Sequence, residues 1–191
     1  MGLNKRLFIQ EGISLPDFEF KAVTYSGNGG TNAITGVGFQ PDLVFTKWRS
    51  GSTQRNSCIY DVIRGTTNIL AAETTGQNGS VSGSLTSFDS DGFTLGSWVG
   101  NNQSGSNWVS WNFKAGGTAT SNTNGSITSS VSASNGFSIV SYSGNNQSSG
   151  TIGHGLAQPP ELVITKALNL TAGWPTMAPT SYYGLRLNET G

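Results

Sequence analysis

Hydrophobic residues occur along this chain in short stretches with the character of β-strands. Leu43–Phe45 and Leu162–Ile164 are apolar runs that each begin two residues after a proline. Because proline is tolerated only at the start or the edge of a strand, Pro41 and Pro160 mark where these strands begin. No window of about 11 residues shows a helical period of apolar positions. The pattern therefore predicts short antiparallel strands joined by loops.

The segment Trp108–Phe113 alternates apolar and polar side chains in a way that indicates one further strand. Side chains on a strand point to opposite faces in turn, so Val109, Trp111 and Phe113 share one face. We therefore expect Trp111 to belong to the core. The other face carries Trp108, Ser110 and Asn112.

Two segments of the chain return later in the same order. Phe20–Asn28 matches Phe137–Asn145 at an offset of 117 positions, and Pro41–Lys47 matches Pro160–Lys166 at an offset of 119. Loops absorb insertions of two residues at little cost, so the unequal offsets fit a single repeat. Near the second copy, the pair Asn135-Gly136 lies between two β-favouring runs and predicts a hairpin.

The repeat suggests a division of the chain into four segments. Residues 1–17 form an N-terminal attachment segment or a first strand, and residues 18–116 form the first β-sandwich repeat. Residues 117–126 are a small polar linker by composition. Residues 127–191 form a partial second repeat, so we expect the native chain to continue beyond Gly191.

Composition narrows the classes of function. Charged residues make up 10% of the chain, against about 25% in ordinary soluble domains, while aromatic residues also make up 10% and include five tryptophans. Ten acidic and ten basic residues give a net charge of zero, which argues against a nucleic-acid partner. No apolar run is long enough to insert into a membrane. The single cysteine, Cys58, excludes a disulfide within the chain, and we expect it to be buried.

Five motifs carry a resemblance to a known family. They lie at Phe20–Asn28, Gly38–Lys47, Asp61–Gly65, Thr86–Ser97 and Trp108–Gly117. With these motifs, the chain resembles a repeated domain of tail-fibre and other virion proteins of tailed bacteriophages. The resemblance implies an all-β, jelly-roll-like (lectin-like) antiparallel β-sandwich, followed here by the start of a second tandem copy.

The first functional hypothesis is a structural protein of a phage particle, made in the host cytoplasm and supporting host attachment as a tail fibre or similar appendage. Its partners would be tail, baseplate or neck proteins, and by analogy with fibres we expect a homo-oligomer, with a trimer favoured. The N-terminal region would attach it to the particle. The candidate attachment residues are Lys5, Arg6, Leu7, Phe8 and Ile9.

The alternative is a carbohydrate-binding module that recognises host surface glycans. Trp98 lies close to Asn101 and Asn102, and an aromatic ring beside planar amides is a common way of holding sugars. The competing interpretation of Trp98 is packing within the core or between subunits.

Other candidate chemistry has weaker support. Asp89 and Asp91 resemble the start of a calcium loop, although an Asp-Gly turn is the simpler interpretation. Asp61 and Arg64 predict a local ion pair that closes a loop, or a bridge between subunits. His154 is the only histidine, and no paired carboxylates suggest hydrolysis. We therefore expect no enzyme activity and no cofactor.

Overall fold

Short strands of small polar and aromatic residues build most of the structure. The computed structural model describes residues 19–178 and the backbone of residues 185–186. Within these residues nearly all regular structure is β, and the one helix is a single turn. The elements are β1 Phe20–Ser26, β2 Asn32–Ile34, β3 Leu43–Ser50, β4 Cys58–Asp61, β5 Gly65–Ala71, β6 Gly79–Ser80, β7 Leu85–Asp89, β8 Gly92–Leu95, α1 Val99–Asn102, β9 Asn107–Phe113, β10 Thr120–Asn122, β11 Ser129–Ser134, β12 Phe137–Tyr142, β13 Val163–Ile164, β14 Pro175–Met177 and β15 Leu185–Arg186.

The largest sheet has six strands in the order β1-β9-β3-β4-β5-β6, and its pairs are antiparallel. β9, the last strand of this sheet in the sequence, lies between β1 and β3 and pairs with both. Trp111 at its centre is opposite Ala22 on one side and Phe45 on the other. The predicted strand after Pro41 is confirmed as β3.

A three-stranded sheet, β2-β8-β7, shares its core with the six-stranded sheet. Nonpolar side chains of both sheets meet there, and their removal from water is the main favourable contribution to folding. Trp108 is the largest of the fully buried side chains and stacks on Tyr25 at 6.3 Å between ring centroids. The core residues are Tyr25, Ile34, Val44, Cys58, Tyr60, Leu85, Phe93, Leu95 and Trp108.

The structure buries the face of β9 opposite to the one that was predicted to be buried. Trp108, Ser110 and Asn112 are fully buried, whereas the face that carries Trp111 is only partly buried. The expectation that Trp111 is a core residue was therefore wrong. Asn112 Nδ2 donates hydrogen bonds to the carbonyl of Lys21 and to Ser110 Oγ, which partly offsets the cost of burying this side chain. Among the described residues, its Oδ1 atom has no hydrogen-bond partner.

The second part of the structure contains two further three-stranded sheets, β10-β11-β12 and β13-β14-β15. The hairpin predicted at Asn135-Gly136 is confirmed, since β11 and β12 pair around it and Gly136 has a φ of 95°. The segment predicted as a polar linker, residues 117–126, contains β10. We call residues 19–115 the first part, and residues 120–178 together with β15 the second part.

Direct contacts join the two parts. The buried carboxylate of Asp42, before β3, accepts hydrogen bonds from the backbone N–H groups of Ala115 and Gly117. Gly116 lies in the segment that links the two parts, and its N–H donates to Ser132 Oγ of the second part at 3.0 Å. A second set of contacts lies further along the chain, where buried Trp174 donates its indole N–H to the carbonyl of Thr74. The parts are therefore attached at two separate places.

Candidate functional site

The face of the six-stranded sheet that points away from the core carries a group of aromatic side chains. Phe20, Phe45, Trp111 and Phe113 line an open depression of about 420 Å³, and we call them the outer aromatic cluster. Strand register explains the grouping, because Phe20 is opposite Phe113 and Phe45 is opposite Trp111. Ring centroids are 4.9 Å apart in the first pair and 5.1 Å apart in the second.

The outer aromatic cluster is partly accessible to solvent. Phe20 is 43% exposed, and the other three side chains are partly buried. Aromatic pairs across strands stabilise a sheet, but exposed aromatic groups of this size are characteristic of contact surfaces. At one end Phe113 stacks on Phe137 of the second part, with 5.0 Å between ring centroids. The cluster therefore lies beside the junction between the two parts.

One charge close to this face, that of Lys47, is neutralised by an acidic residue. Lys47 lies opposite Val109 in the register of β3 and β9, on the side of the strand that carries Phe45, and it forms a salt bridge with Glu73. Glu73 also accepts hydrogen bonds from the N–H and the hydroxyl of Ser57. Partial burial would raise the pKa of Glu73, but the hydrogen bonds from Lys47 and Ser57 outweigh it and lower the pKa below its usual value. The described residues that line the depression itself are all aromatic.

The residues predicted to hold a sugar have a different environment. Asn101 and Asn102 are fully buried in α1, which contradicts a role for their amides as surface ligands. Asn101 Nδ2 donates to Tyr60 Oη, and the Asn101 carbonyl accepts from Tyr25 Oη. Trp98 is partly buried and packs against the core. This loop thus closes one end of the core.

Asn102 joins the loop between β1 and β2 to the connection between β8 and β9 through one amide group. Its Oδ1 atom accepts hydrogen bonds from the N–H of Asn28 and from Asn32 Nδ2, at 3.0 and 2.9 Å. Its Nδ2 atom donates to the carbonyls of Gly30 and Gly96, at 2.7 and 2.8 Å, and to Asn28 Oδ1. Asn28, the last residue of the Phe20–Asn28 motif, therefore has a structural role as a hydrogen-bond partner of Asn102.

The two predicted calcium ligands also stabilise turns. Each Asp91 carboxylate oxygen accepts a backbone hydrogen bond, from Gly36 and from Gly38, while Asp89 accepts one from the Thr94 hydroxyl. These donors lower the pKa of Asp91 below its usual value. Within residues 19–178 no three His, Cys, Asp or Glu side chains are grouped so that they could hold a metal ion. The Asp-Gly turn is confirmed as the hairpin between β7 and β8.

The ion pair predicted between Asp61 and Arg64 is confirmed. Arg64 Nε donates to Asp61 Oδ2 at 2.5 Å, and both side chains are 8% exposed. The pair lies in a tight turn between β4 and β5, and the remaining guanidinium donors reach the carbonyls of Ile59 and Asn68 and the side chain of Asn78. It closes this hairpin within the chain.

The remaining predictions concern Cys58, His154 and the candidate attachment residues. Cys58 is buried as expected, and burial raises the pKa of its thiol to about 12. The His154 carbonyl accepts a hydrogen bond from Ser138, and its Nδ1 atom accepts one from the N–H of Leu156. The candidate attachment residues at positions 5–9 lie outside the described residues. Residues 19–178 include no helix long and apolar enough to cross a bilayer.

Comparison with known proteins gives one match. Residues 16–191 match a family described as "Domain of unknown function (DUF7483)". No curated protein and no solved structure matches the chain.

Replacing Asn102 with alanine should destabilise the protein by about 3 kcal/mol, because several buried polar partners lose their hydrogen bonds. Chemical unfolding followed by tryptophan fluorescence measures the effect. The matched control is Asn169→Ala, since Asn169 is exposed and this variant should stay close to wild type. Equal stability of the two variants would contradict the structural role of Asn102.

The Asp91 carboxylate should make stability depend on pH at the acid end. Because its pKa is lowered in the folded state, its contribution is present above the usual value of 3.8 and is lost as pH falls through the lowered value. Wild type should therefore unfold at higher denaturant concentration than Asp91→Asn at neutral pH. The difference should shrink towards about pH 2. A difference that stays constant between the two pH values would refute the carboxylate contacts.

Proposed function

We propose that this protein, which belongs to the DUF7483 family, is a structural protein of a bacteriophage particle, part of a tail fibre or a similar appendage that supports host attachment. Two sequence features support the proposal: the resemblance of five motifs to those of virion proteins, and the ordered repeat of Phe20–Lys47 in Phe137–Lys166. The finer fold assignment belongs to the same proposal. It is a jelly-roll-like, lectin-like β-sandwich followed by the start of a second tandem copy.

The outer aromatic cluster is the single observation that carries the proposal. Sugar sites combine an aromatic platform with converging hydrogen-bonding groups, because the hydroxyl groups of the ligand must be satisfied. Among residues 19–178, the side chains that line the depression are all aromatic, and the nearby Lys47 is neutralised by Glu73. An apolar, neutral face suits contact with another protein, whose own apolar residues are removed from water at the same time. It therefore favours assembly.

The remaining aspects of the proposal follow from an assembly role. Partners would be other virion proteins of the tail, baseplate or neck, together with further copies of the chain, with a trimer favoured. Synthesis would take place in the host cytoplasm. Attachment to the particle would use the N-terminal region, and no enzymatic step is needed for such a role.

A second candidate function, glycan binding, has support from a different surface. The turn at Thr120–Asn124 and the side of β11 line a groove of about 390 Å³. Its hydroxyl and amide groups are the kind that pair with the hydroxyl groups of a neutral sugar. A glycan array probed with the purified chain tests this alternative. Selective binding that Asn122→Ala abolishes would establish it, and absence of binding would count against it.

Truncating the outer aromatic cluster should impair incorporation into particles. In particles of a phage that encodes the chain, the double variant Phe45→Ser with Trp111→Ser should be incorporated at least about tenfold less than wild type, because a desolvated aromatic anchor at an interface contributes 1 kcal/mol or more. Immunogold labelling and mass spectrometry of purified particles measure incorporation. The matched control is Tyr142→Ser, since Tyr142 is 47% exposed and lies outside the cluster.

Three outcomes of this experiment are informative. Loss of incorporation only in the cluster variant supports assembly through this face. Normal incorporation of the cluster variant contradicts the role of the face. Absence of wild-type protein from purified particles would overturn the virion role itself.

A further inference from the structure

We infer that Asn135 is a site of spontaneous covalent modification, at which the side-chain amide is replaced by a carboxylate. The reaction needs only water, and it is favoured where the backbone nitrogen of the next residue can reach the side chain. Glycine as the next residue has no Cβ atom to obstruct this approach. The chain contains four such pairs: Asn28-Gly29, Asn78-Gly79, Asn124-Gly125 and Asn135-Gly136.

The reaction takes place within the pair itself. The backbone nitrogen of Gly136 attacks Cγ of Asn135, a carbon–nitrogen bond forms, and the side-chain nitrogen leaves as ammonia with the proton that Gly136 loses. The product is a succinimide ring that joins the two residues. Water then opens the ring at one of its two carbonyl groups, which gives either aspartate or isoaspartate. One water is consumed, one ammonia is released, and no oxidant or reductant takes part.

Both reacting groups of the Asn135-Gly136 pair are accessible. The pair forms the turn between β11 and β12, and both of its residues are exposed. In the described part of the chain, neither the Asn135 side chain nor the N–H of Gly136 has a hydrogen-bond partner. No such contact therefore has to break before the nitrogen attacks.

Hydrogen bonds hold the corresponding groups of Asn28-Gly29. Asn28 Nδ2 donates to the carbonyl of Thr31 at 2.9 Å, and Asn28 Oδ1 accepts from the N–H of Gly30 at 2.8 Å. The attacking nitrogen is engaged as well, since the N–H of Gly29 donates to the Asn102 carbonyl at 2.8 Å. Attack on the Asn28 side chain therefore requires that these contacts break first.

Asn78-Gly79 is protected in a similar way. Asn78 Oδ1 accepts a hydrogen bond from Arg64 at 3.0 Å, and Asn78 Nδ2 donates to Asn68 Oδ1 at 3.1 Å. Gly79 belongs to β6 and lies opposite Ile69 of β5. Both the side chain and the backbone of this pair are therefore fixed.

Asn124-Gly125 is exposed, but its backbone is closely packed. The N–H of Asn124 donates to Asn122 Oδ1 at 2.8 Å. A Cβ atom on Gly125 would lie 2.5 Å from the carbonyl oxygen of Thr151. A Cβ atom on Gly153 would lie equally close, 2.5 Å, to the carbonyl oxygen of Asn124. Because neighbouring backbone restricts rotation of this peptide unit, we expect the pair to react more slowly than the turn between β11 and β12.

Modification of Asn135 affects the junction between the two parts. Phe137 stacks on Phe113 of the outer aromatic cluster, and the Ser134 hydroxyl donates to the carbonyl of Lys114. Either product places a carboxylate between these two contacts, and isoaspartate also adds one carbon atom to the backbone of the turn. Because turn length determines the register of a hairpin, the modified turn no longer fits the pairing of Ser134 with Phe137. The second part is then held less firmly beside the cluster.

Incubation of the purified full chain tests the site. Samples are kept at slightly alkaline pH, where more of the attacking nitrogen is deprotonated, and modified peptides are quantified by mass spectrometry. In the folded chain, Asn135 should react at least about tenfold faster than Asn28 and Asn78, the factor that corresponds to a local opening cost of about 1.4 kcal/mol. Asn124 should react at an intermediate rate. In denaturant the four rates should converge, because each asparagine is followed by glycine.

Asn135→Gln is the matched control variant. It keeps an uncharged amide, but its longer side chain forms the corresponding ring far more slowly. Asn135 does not have a positive φ, so the substitution requires no left-handed backbone. After incubation, hydrogen exchange in β12 of the wild type should be about threefold faster or more than in fresh protein, because the turn has lost its fit. Incubated Asn135→Gln should keep its initial exchange rates.

Three results would overturn the inference. The first is an equal or faster reaction at Asn28, Asn78 or Asn124 in the folded chain. The second is an Asn135 that reacts in denaturant but not in the folded chain. The third is exchange in β12 that is unchanged after modification of the wild type, or that rises equally in Asn135→Gln. Absence of the chain from phage particles would not affect any of these measurements.

Discussion

The hydrogen-bonded insertion of β9 between β1 and β3 is the constraint on which the rest of the first part depends. It joins the last strand of this part to strands more than 55 positions earlier, so it closes long loops at an entropic cost. Burial of Trp108 on the inner face offsets that cost. The same register places Trp111 and Phe113 on the outer face, where they meet Phe45 and Phe20. One strand therefore determines both the core and the candidate contact surface.

The chain has few charged residues, and most of the polar side chains buried in the structure carry amide or hydroxyl groups. Asn102 is fully buried and forms several hydrogen bonds to the backbone and to neighbouring side chains. Buried polar groups that are satisfied in this way fix loop geometry, whereas a missing partner costs 1–3 kcal/mol or so. The amide-rich composition thus reflects how loops are held.

Sequence patterns were sufficient for the local features. The proline before β3, the Asn135-Gly136 turn and the Asp61–Arg64 pair each depend on neighbouring residues, and each was predicted correctly. The inner face of β9 was not predicted correctly. Alternation of apolar and polar residues defines the two faces of a strand, but packing against the opposite sheet determines which face is buried. Similarly, the pattern of Asn101 and Asn102 fits a sugar ligand as well as an internal loop contact. Only the packing of α1 against Tyr25 and Tyr60 distinguishes the two.

The measurement that tests this account most directly compares two tryptophans of the same strand. The free energy of unfolding of Trp108→Ala should fall by about 4 kcal/mol, the cost of emptying a fully buried aromatic site. That of Trp111→Ala should fall by only about 1 kcal/mol, because this side chain is partly exposed. A larger loss for Trp111→Ala, or equal losses, would show that β9 presents the opposite face to the core. The outer aromatic cluster would then not exist as a surface.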